Sequence, residues 1–357
     1  MPTKVYRGRG CVYDCPEQWS RLGKRALIVT GKTSGAKSGA LDDVQDVLDG
    51  LSICYVVYDN VKNNPTVENS YEAGQLAKEF KADFVIGIGG GSPLDLAKAA
   101  ALYATNDIEP MEIYEEPENM PLPIVAIPTT AGTGSEVTQY SVLTVESKET
   151  KVTAKGDYLF PTLAFLDYRY TKNLPESIAK NTALDAMSHC IESILSLRVT
   201  ADSKAISLEA LRIIGENIGE TTKFPMSDEA RDNLLYAAML GGVAIAQSGT
   251  IVVHSMGYAL TYFKDMPHGL ANGKLLVPYM RFANENVPEV SGEIFKALGC
   301  NDYEGFKALI NSLELPETDI TEEEAEKFAS RTIKAANVAL NPWKIDKEQE
   351  KEILLLR

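Results

Sequence analysis

The chain has 357 residues, 45% hydrophobic and 24% charged, with a formal net charge of −15; this is an ordinary globular composition, long enough for two domains. The acidic balance argues against nucleic acid or an anionic membrane surface as partner, because phosphate binding rests on clustered Lys and Arg, and no basic run with interleaved aromatics occurs. The N-terminal Met1-Pro2-Thr3-Lys4-Val5-Tyr6 lacks an apolar signal core, and the cysteines at 11, 15, 54, 190 and 300 form no CxxC pair, so we expect a cytoplasmic protein with free thiols.

In chain order, the apolar run Arg25–Thr30 predicts a strand, followed by a Gly/Ser loop and a helix over about 40–48. Ile53–Tyr58 reads as the next strand, with a helix over 67–80. Asp83–Ile88 is a third, running into Gly89-Gly90-Gly91-Ser92 and a helix through Leu102. Ile124–Pro128 is a fourth. Apolar strands alternating with helices imply a parallel sheet covered on both faces. From about Pro175 helical periodicity takes over, with segments near 177–196, 201–219, 228–247, 250–262 and 268–284, and charged helix through the last forty residues. We therefore expect an α/β N-terminal domain, 1–174, with a parallel Rossmann-like sheet, and an all-α C-terminal domain, 175–357. The stretch Asn233–Phe263 carries no charged residue and could span a bilayer by length. Gly241-Gly242, Gln247-Ser248-Gly249-Thr250 and His254 interrupt it, so two buried helices and no membrane span are expected.

Two loops suit a nucleotide. Gly87-x-Gly89-Gly90-Gly91-Ser92 closes a strand and opens a helix. Its glycines let backbone approach a diphosphate, and the helix terminus offers N–H groups and a favourable dipole. The spacing is not GxGxxG, and a tight turn without ligand would use the same residues. Pro128-Thr129-Thr130-Ala131-Gly132-Thr133-Gly134-Ser135-Glu136 follows another strand, at the same edge of the sheet, with hydroxyls suited to phosphate and ribose. Gly31-Lys32-Thr33 resembles the end of a P-loop, but Ala26 and Leu27 stand where its first glycine belongs, which excludes nucleoside triphosphate hydrolysis.

The chain has three histidines, His189, His254 and His268. Asp185 precedes His189 by four residues, which places the pair on one helix face. Histidine is the commonest transition-metal ligand, and we read the three as one metal site.

Taken in order, Gly89-Gly90-Gly91-Ser92-Pro93-x-Asp95-x-x-Lys98, the Pro128–Glu136 run, Asp185-Ala186-x-x-His189 and Pro267-His268-Gly269 resemble the iron-containing (group III) alcohol dehydrogenases. The similarity spans residues 31–280, and element order agrees over nearly the whole chain. It implies a dehydroquinate synthase-like architecture: a dinucleotide-binding domain, a helical metal-binding domain and a cleft between them. It further implies that Asp185, His189, His254 and His268 hold a divalent metal, Fe²⁺ or alternatively Zn²⁺, acting as a Lewis acid toward the alcohol oxygen. Nucleotide contacts would come from Gly31, Lys32, Thr33, Ser34, Gly90, Gly91, Ser92, Asp95, Thr129, Thr130, Thr133 and Lys151, in a homodimer.

Two positions depart from the family pattern. Many members carry a further histidine four residues after the ligand at His254, where this chain has Tyr258; we expect Tyr258 either to shape the pocket or to join proton transfer. Members preferring NAD end the first strand in an acidic residue. Here the sequence is Gly31-Lys32-Thr33-Ser34-Gly35, with Lys37 behind it, which favours a 2′-phosphate and hence NADP. The expected function is a metal-dependent alcohol dehydrogenase or aldehyde reductase acting between NADP(H) and a small, unbranched primary alcohol or aldehyde. The alternatives are a glycerol dehydrogenase-like polyol oxidoreductase, a dehydroquinate-synthase-like lyase, or a metal- and nucleotide-binding sensor without turnover. Val252, Val253, Met256, Tyr258, Leu260 and Tyr262 read as a face too apolar for a polyol or acid.

Overall fold

The computed structural model describes residues 2–356. It divides into two compact units, Met1–Leu174 and Pro175–Arg357.

The first unit contains strands β1 (Lys4–Arg7), β2 (Arg25–Thr30), β3 (Cys54–Tyr58), β4 (Phe84–Gly89), β5 (Ile124–Pro128), β6 (Tyr140–Val145), β7 (Thr150–Lys155) and β8 (Leu163–Leu166). Its helices are α1 (Pro16–Leu22), α2 (Ser34–Ser38), α3 (Ala40–Gly50), α4 (Val67–Phe80) and α5 (Gly91–Thr105). Six strands form a sheet in the order β1-β8-β5-β4-β2-β3, every pairing parallel. Alternate residues of one strand serve opposite faces, as a period of two demands. Ala26 and Ile28 pack with Trp19 of α1 and Ala40, Val44 and Leu48 of α3. Leu27 and Val29 pack with Ala73 and Ala77 of α4 and Leu96, Ala97 and Ala100 of α5. Strands covered on both sides must be apolar throughout, which is why β2, β4 and β5 were readable as sequence.

Three features depart from the sequence reading. Strands β1 and β8 add to the expected four, but each is only four residues long, and β1 carries Lys4 and Arg7 at an edge of the sheet. Strands β6 and β7 form a separate antiparallel hairpin. The expected Gly/Ser loop after β2 contains the short helix α2.

The second unit is helical: α6 (Glu176–Leu195), α7 (Ala201–Asn217), α8 (Asp228–Ser248), α9 (Val252–Lys264), α10 (His268–Asn286), α11 (Pro288–Ala297), α12 (Tyr303–Asn311), α13 (Glu322–Thr332) and α14 (Lys347–Leu354). Helix α6 is central, touching α7, α8 and α10, and is buried from Ala183 through Leu195 without interruption. The uncharged stretch is divided between α8 and α9, which meet at 112°. Among the described residues no single helix is long and apolar enough to cross a membrane. The last forty residues are not one charged helix: α13 and α14 are separated by a segment that includes a 3-10 turn, Ala336–Leu340, followed by Pro342. Helices α11 and α12 were not anticipated.

Candidate metal centre and nucleotide loops

Helix α6 presents Asp185 and His189 one turn apart on its buried face, and α9 contributes His254; the three residues are 3%, 5% and 2% exposed. Each offers a ligand atom within 4.8 Å of the other two. Helix α10 begins at His268, whose Nε2 lies 3.8 Å from Asp185 Oδ1, and His254 Nε2 lies 3.9 Å from the same oxygen. The rings of His189 and His254 stack at 4.7 Å. Ligand atoms bonded at about 2.1 Å to one tetrahedral ion sit roughly 3.4 Å apart, so a small contraction would bring this set to bonding distance. Burial by itself would raise the Asp185 pKa, yet His189, His268, His254 and a bond from Asn272 together hold it below the usual carboxylate range.

Asn272 shows that these acceptors face a common point. Its amide nitrogen donates to Asp185 Oδ1 at 2.9 Å and lies 3.2 Å from both His254 Nε2 and His268 Nε2. One carboxylate oxygen and converging imidazole nitrogens suit a divalent transition metal, so the residues present fit the metal that the sequence implied. Gly269 makes the approach of α10 to α6 possible: a Cβ there would stand 1.9 Å from the carbonyl oxygen of Asn181.

Neither Asn272 nor Glu192 was singled out from sequence. Glu192 is fully buried on α6, one turn beyond His189. Its Oε1 accepts the backbone N–H groups of Ile251, Val253 and His254 at 3.1, 2.7 and 3.2 Å, and its Oε2 contacts His254 Nδ1. Helical spacing from the ligands, three residues after His189 and four after His268, was the available signal.

Tyr258 is half-buried. Its ring stacks on His268 at 5.2 Å with a 19° tilt and meets His254 edge-on at 6.4 Å. The apolar-face reading needs correction. Val252, Val253, Met256 and Leu260 are fully buried core residues of α9, so their apolarity reflects packing and says nothing against a polar substrate. Only Tyr258 and Tyr262 of that group retain exposure.

In the first unit, the chain runs from β2 outward to β3 and returns to place β4 on the other side of β2. Strand order therefore reverses between β2 and β4, where ligands bind beyond the carboxyl ends of strands in open α/β sheets. Gly31-Lys32-Thr33-Ser34 follows β2, and Gly90-Gly91-Ser92 follows β4 and opens α5. The loop after β5 is tied alongside, since Thr129 N–H donates to Gly89 O at 2.9 Å. A Cβ on Gly90 would lie 3.1 Å from Thr130 Oγ1, and one on Gly91 2.8 Å from Thr133 Cγ2. Lys32, Thr33, Ser34 and Lys37 are exposed.

Asp95 is engaged within the protein: it accepts Ser135 Oγ–H at 2.5 Å and Val142 N–H at 3.0 Å. Lys151, on β7 opposite Thr144, acts on it electrostatically. Fully buried Lys98 donates to Ser135 Oγ, Thr138 Oγ1 and Tyr140 O, and burial pulls its pKa down to about 8. Burial likewise pushes Glu136 up to about 7. These buried charges brace the loop that carries Thr129, Thr130 and Thr133.

The comparisons agree with this arrangement. The family model for the iron-containing alcohol dehydrogenase matches residues 2–168, and that for the C-terminal part of the Fe-containing alcohol dehydrogenase family matches residues 179–356. Alcohol dehydrogenase 4 of Schizosaccharomyces pombe is 31% identical over 317 residues, which are 87% of this chain and 74% of that protein. Lactaldehyde reductase of Escherichia coli is 31% identical over 82% of this chain and 77% of its own length. The crystal structure of an iron-containing alcohol dehydrogenase from Thermotoga maritima superposes with a TM-score of 0.93 at 36% identity, covering 99% of this chain and 98% of that one. With both halves matched, and Asp185, His189 and His254 brought together in the second, the chain belongs to the iron-containing alcohol dehydrogenase family.

Proposed function

We propose that the protein is a metal-dependent alcohol dehydrogenase and aldehyde reductase that moves a hydride between NADP(H) and a small primary alcohol or aldehyde. The observation that carries this reading is the buried convergence of Asp185, His189 and His254, with His268 Nε2 3.8 Å from the same carboxylate. A divalent ion held by these four, Fe²⁺ in our reading and Zn²⁺ as the alternative, supplies Lewis-acid polarisation of a substrate oxygen. Asp185 contributes the negative charge, and Asn272 fixes its rotamer through the 2.9 Å bond. The loops after β2, β4 and β5 hold the nucleotide. Gly31, without a carboxylate, and the exposed Lys32 and Lys37 support NADP, since a 2′-phosphate is repelled by acids and drawn to cations.

The test is an anaerobic Fe²⁺ reconstitution followed by aldehydes and alcohols, glycerol included, with NAD(H) and NADP(H). NADPH oxidation by small aldehydes is expected. Turnover favouring glycerol would move the assignment to a polyol oxidoreductase, and metal loading without turnover on any substrate would leave a binding protein. Gly31→Asp should weaken NADP(H) about tenfold or more and spare NAD(H), because like charges in a partly desolvated site repel. The new Cβ would lie 2.6 Å from Ser34 Oγ, which must rotate away. A native enzyme that already prefers NADH would refute the nucleotide assignment.

A further inference from the structure

Among the described residues, Glu192 is the one buried acid beside the proposed metal ligands for which the ligand set has no use. Its surroundings assign it a task. Helix α9 starts with no side-chain cap of its own, so its first N–H groups need acceptors from elsewhere. Glu192 Oε1 takes three of them, from Ile251, Val253 and His254. That oxygen is committed as an acceptor, and the second, Oε2, faces His254 Nδ1.

The proton on the His254 ring can be placed by following acceptors. The Asn272 atom 2.9 Å from Asp185 Oδ1 is its amide nitrogen, which donates to that oxygen. That same donor-only nitrogen lies 3.2 Å from both His254 Nε2 and His268 Nε2, an arrangement that accommodates a lone pair on His254 Nε2 and opposes an N–H there. A neutral imidazole has one N–H, and the carboxylate oxygen of Glu192 that faces Nδ1 draws it to that nitrogen. Metal ligands of this kind are oriented by the partner of their other ring nitrogen.

We infer that Glu192 is a positioning residue that locks His254 in the Nδ1–H tautomer, turning the Nε2 lone pair toward the metal while anchoring the first turn of α9. The same carboxylate thus couples the start of a helix to the protonation geometry of a ligand that the helix carries. The inference rests on the metal-site reading of Asp185, His189, His254 and His268, and the experiment separates the two.

With three histidines in the chain, ¹⁵N-histidine labelling gives a spectrum in which each ring's tautomer is legible from long-range proton–nitrogen correlations. The His254 signals are identified by their loss in His254→Gln. In the metal-free native protein His254 should show Nδ1–H, and Zn²⁺ affinity is measured by competition with a chromophoric chelator. In Glu192→Gln, the amide oxygen keeps the three backbone donors and its NH₂ faces Nδ1. His254 should then switch to Nε2–H, and Zn²⁺ affinity should fall about 10–100-fold with native circular dichroism. Glu192→Ala, which has no amide to flip, should give a mixed tautomer and a comparable loss. A native protein with Nε2–H at His254, or both variants retaining the native tautomer whatever their affinity, would overturn the inference. Failure of the native protein to bind Zn²⁺ or Fe²⁺ would instead overturn the metal-site reading itself.

Discussion

Tyr258 stands one helical turn after His254, at the position where the family resemblance implies a further histidine. Its ring lies against His268, stacked at 5.2 Å, so a large part of its contribution is to hold that ligand's plane. Removing only the hydroxyl leaves the stack intact. We expect Tyr258→Phe to retain metal content and keep kcat within roughly tenfold of native, whereas loss of a general base costs about 10²–10⁴ in rate. Single-turnover measurements on the metal-loaded variant decide between these. A loss in the larger range with intact metal would place the phenol in the proton path. At this scale the sequence revealed Asp185 and His189 through their spacing, and His254 and His268 through the scarcity of histidine. It did not reveal Glu192, because the group that makes that carboxylate meaningful lies 62 residues further along the chain.

The elements meet at small residues. A Cβ on Gly269 would approach Asn181 O to 1.9 Å and Asp185 Cβ to 3.1 Å, so only glycine allows α10 to deliver His268 to α6. Backbone atoms cannot rotate aside as a side chain can. Gly269→Ala should therefore cost about 1–3 kcal/mol in overpacking and displace His268, lowering both the melting temperature and Zn²⁺ affinity. Gly292→Ala is the control: it lies exposed on α11 with nothing within 4 Å of a new Cβ, and should be neutral or slightly stabilising. Equal behaviour of the two variants in thermal melts and Zn²⁺ titrations would refute the close-approach account. Gly257 shows the same use of space, since its Cβ would meet Asn272 Oδ1 at 2.0 Å.

Across the whole molecule, the four residues proposed to hold the metal belong to one unit and the loops proposed to hold the nucleotide to the other. A metal at 100 times its dissociation constant stabilises the state that binds it by about 2.7 kcal/mol, and that energy enters through α6, α9 and α10. Hydrogen exchange with and without Zn²⁺ should show added protection along α6 and in the first turns of α9 and α10, with little change in β2, β4 and β5. NADP⁺ should act in the reverse sense, protecting the segments after β2 and β4. Protection by Zn²⁺ as large in the strands as in the helices would show that the metal stabilises the chain as a single cooperative block.

What the sequence determined by itself was whatever is encoded at short range. Apolar strands alternating with helices specified the parallel sheet, because each such strand is buried on both faces. Periodicity placed α6 through α10, and glycine-rich strand ends marked the loops that the strand order then set beside the switch point. The tertiary structure alone decided the rest. Strand β1 is recognisable only once β8 pairs with it, since an edge strand with charged ends has no local signature. The apolar residues of α9 turned out to be core rather than pocket lining, because periodicity identifies a buried face without saying what buries it. The contacts of Glu192 with His254 and of Asn272 with Asp185 join helices far apart in the chain, so the helical spacing from His189 and His268 could mark a shared face without saying what that face would touch.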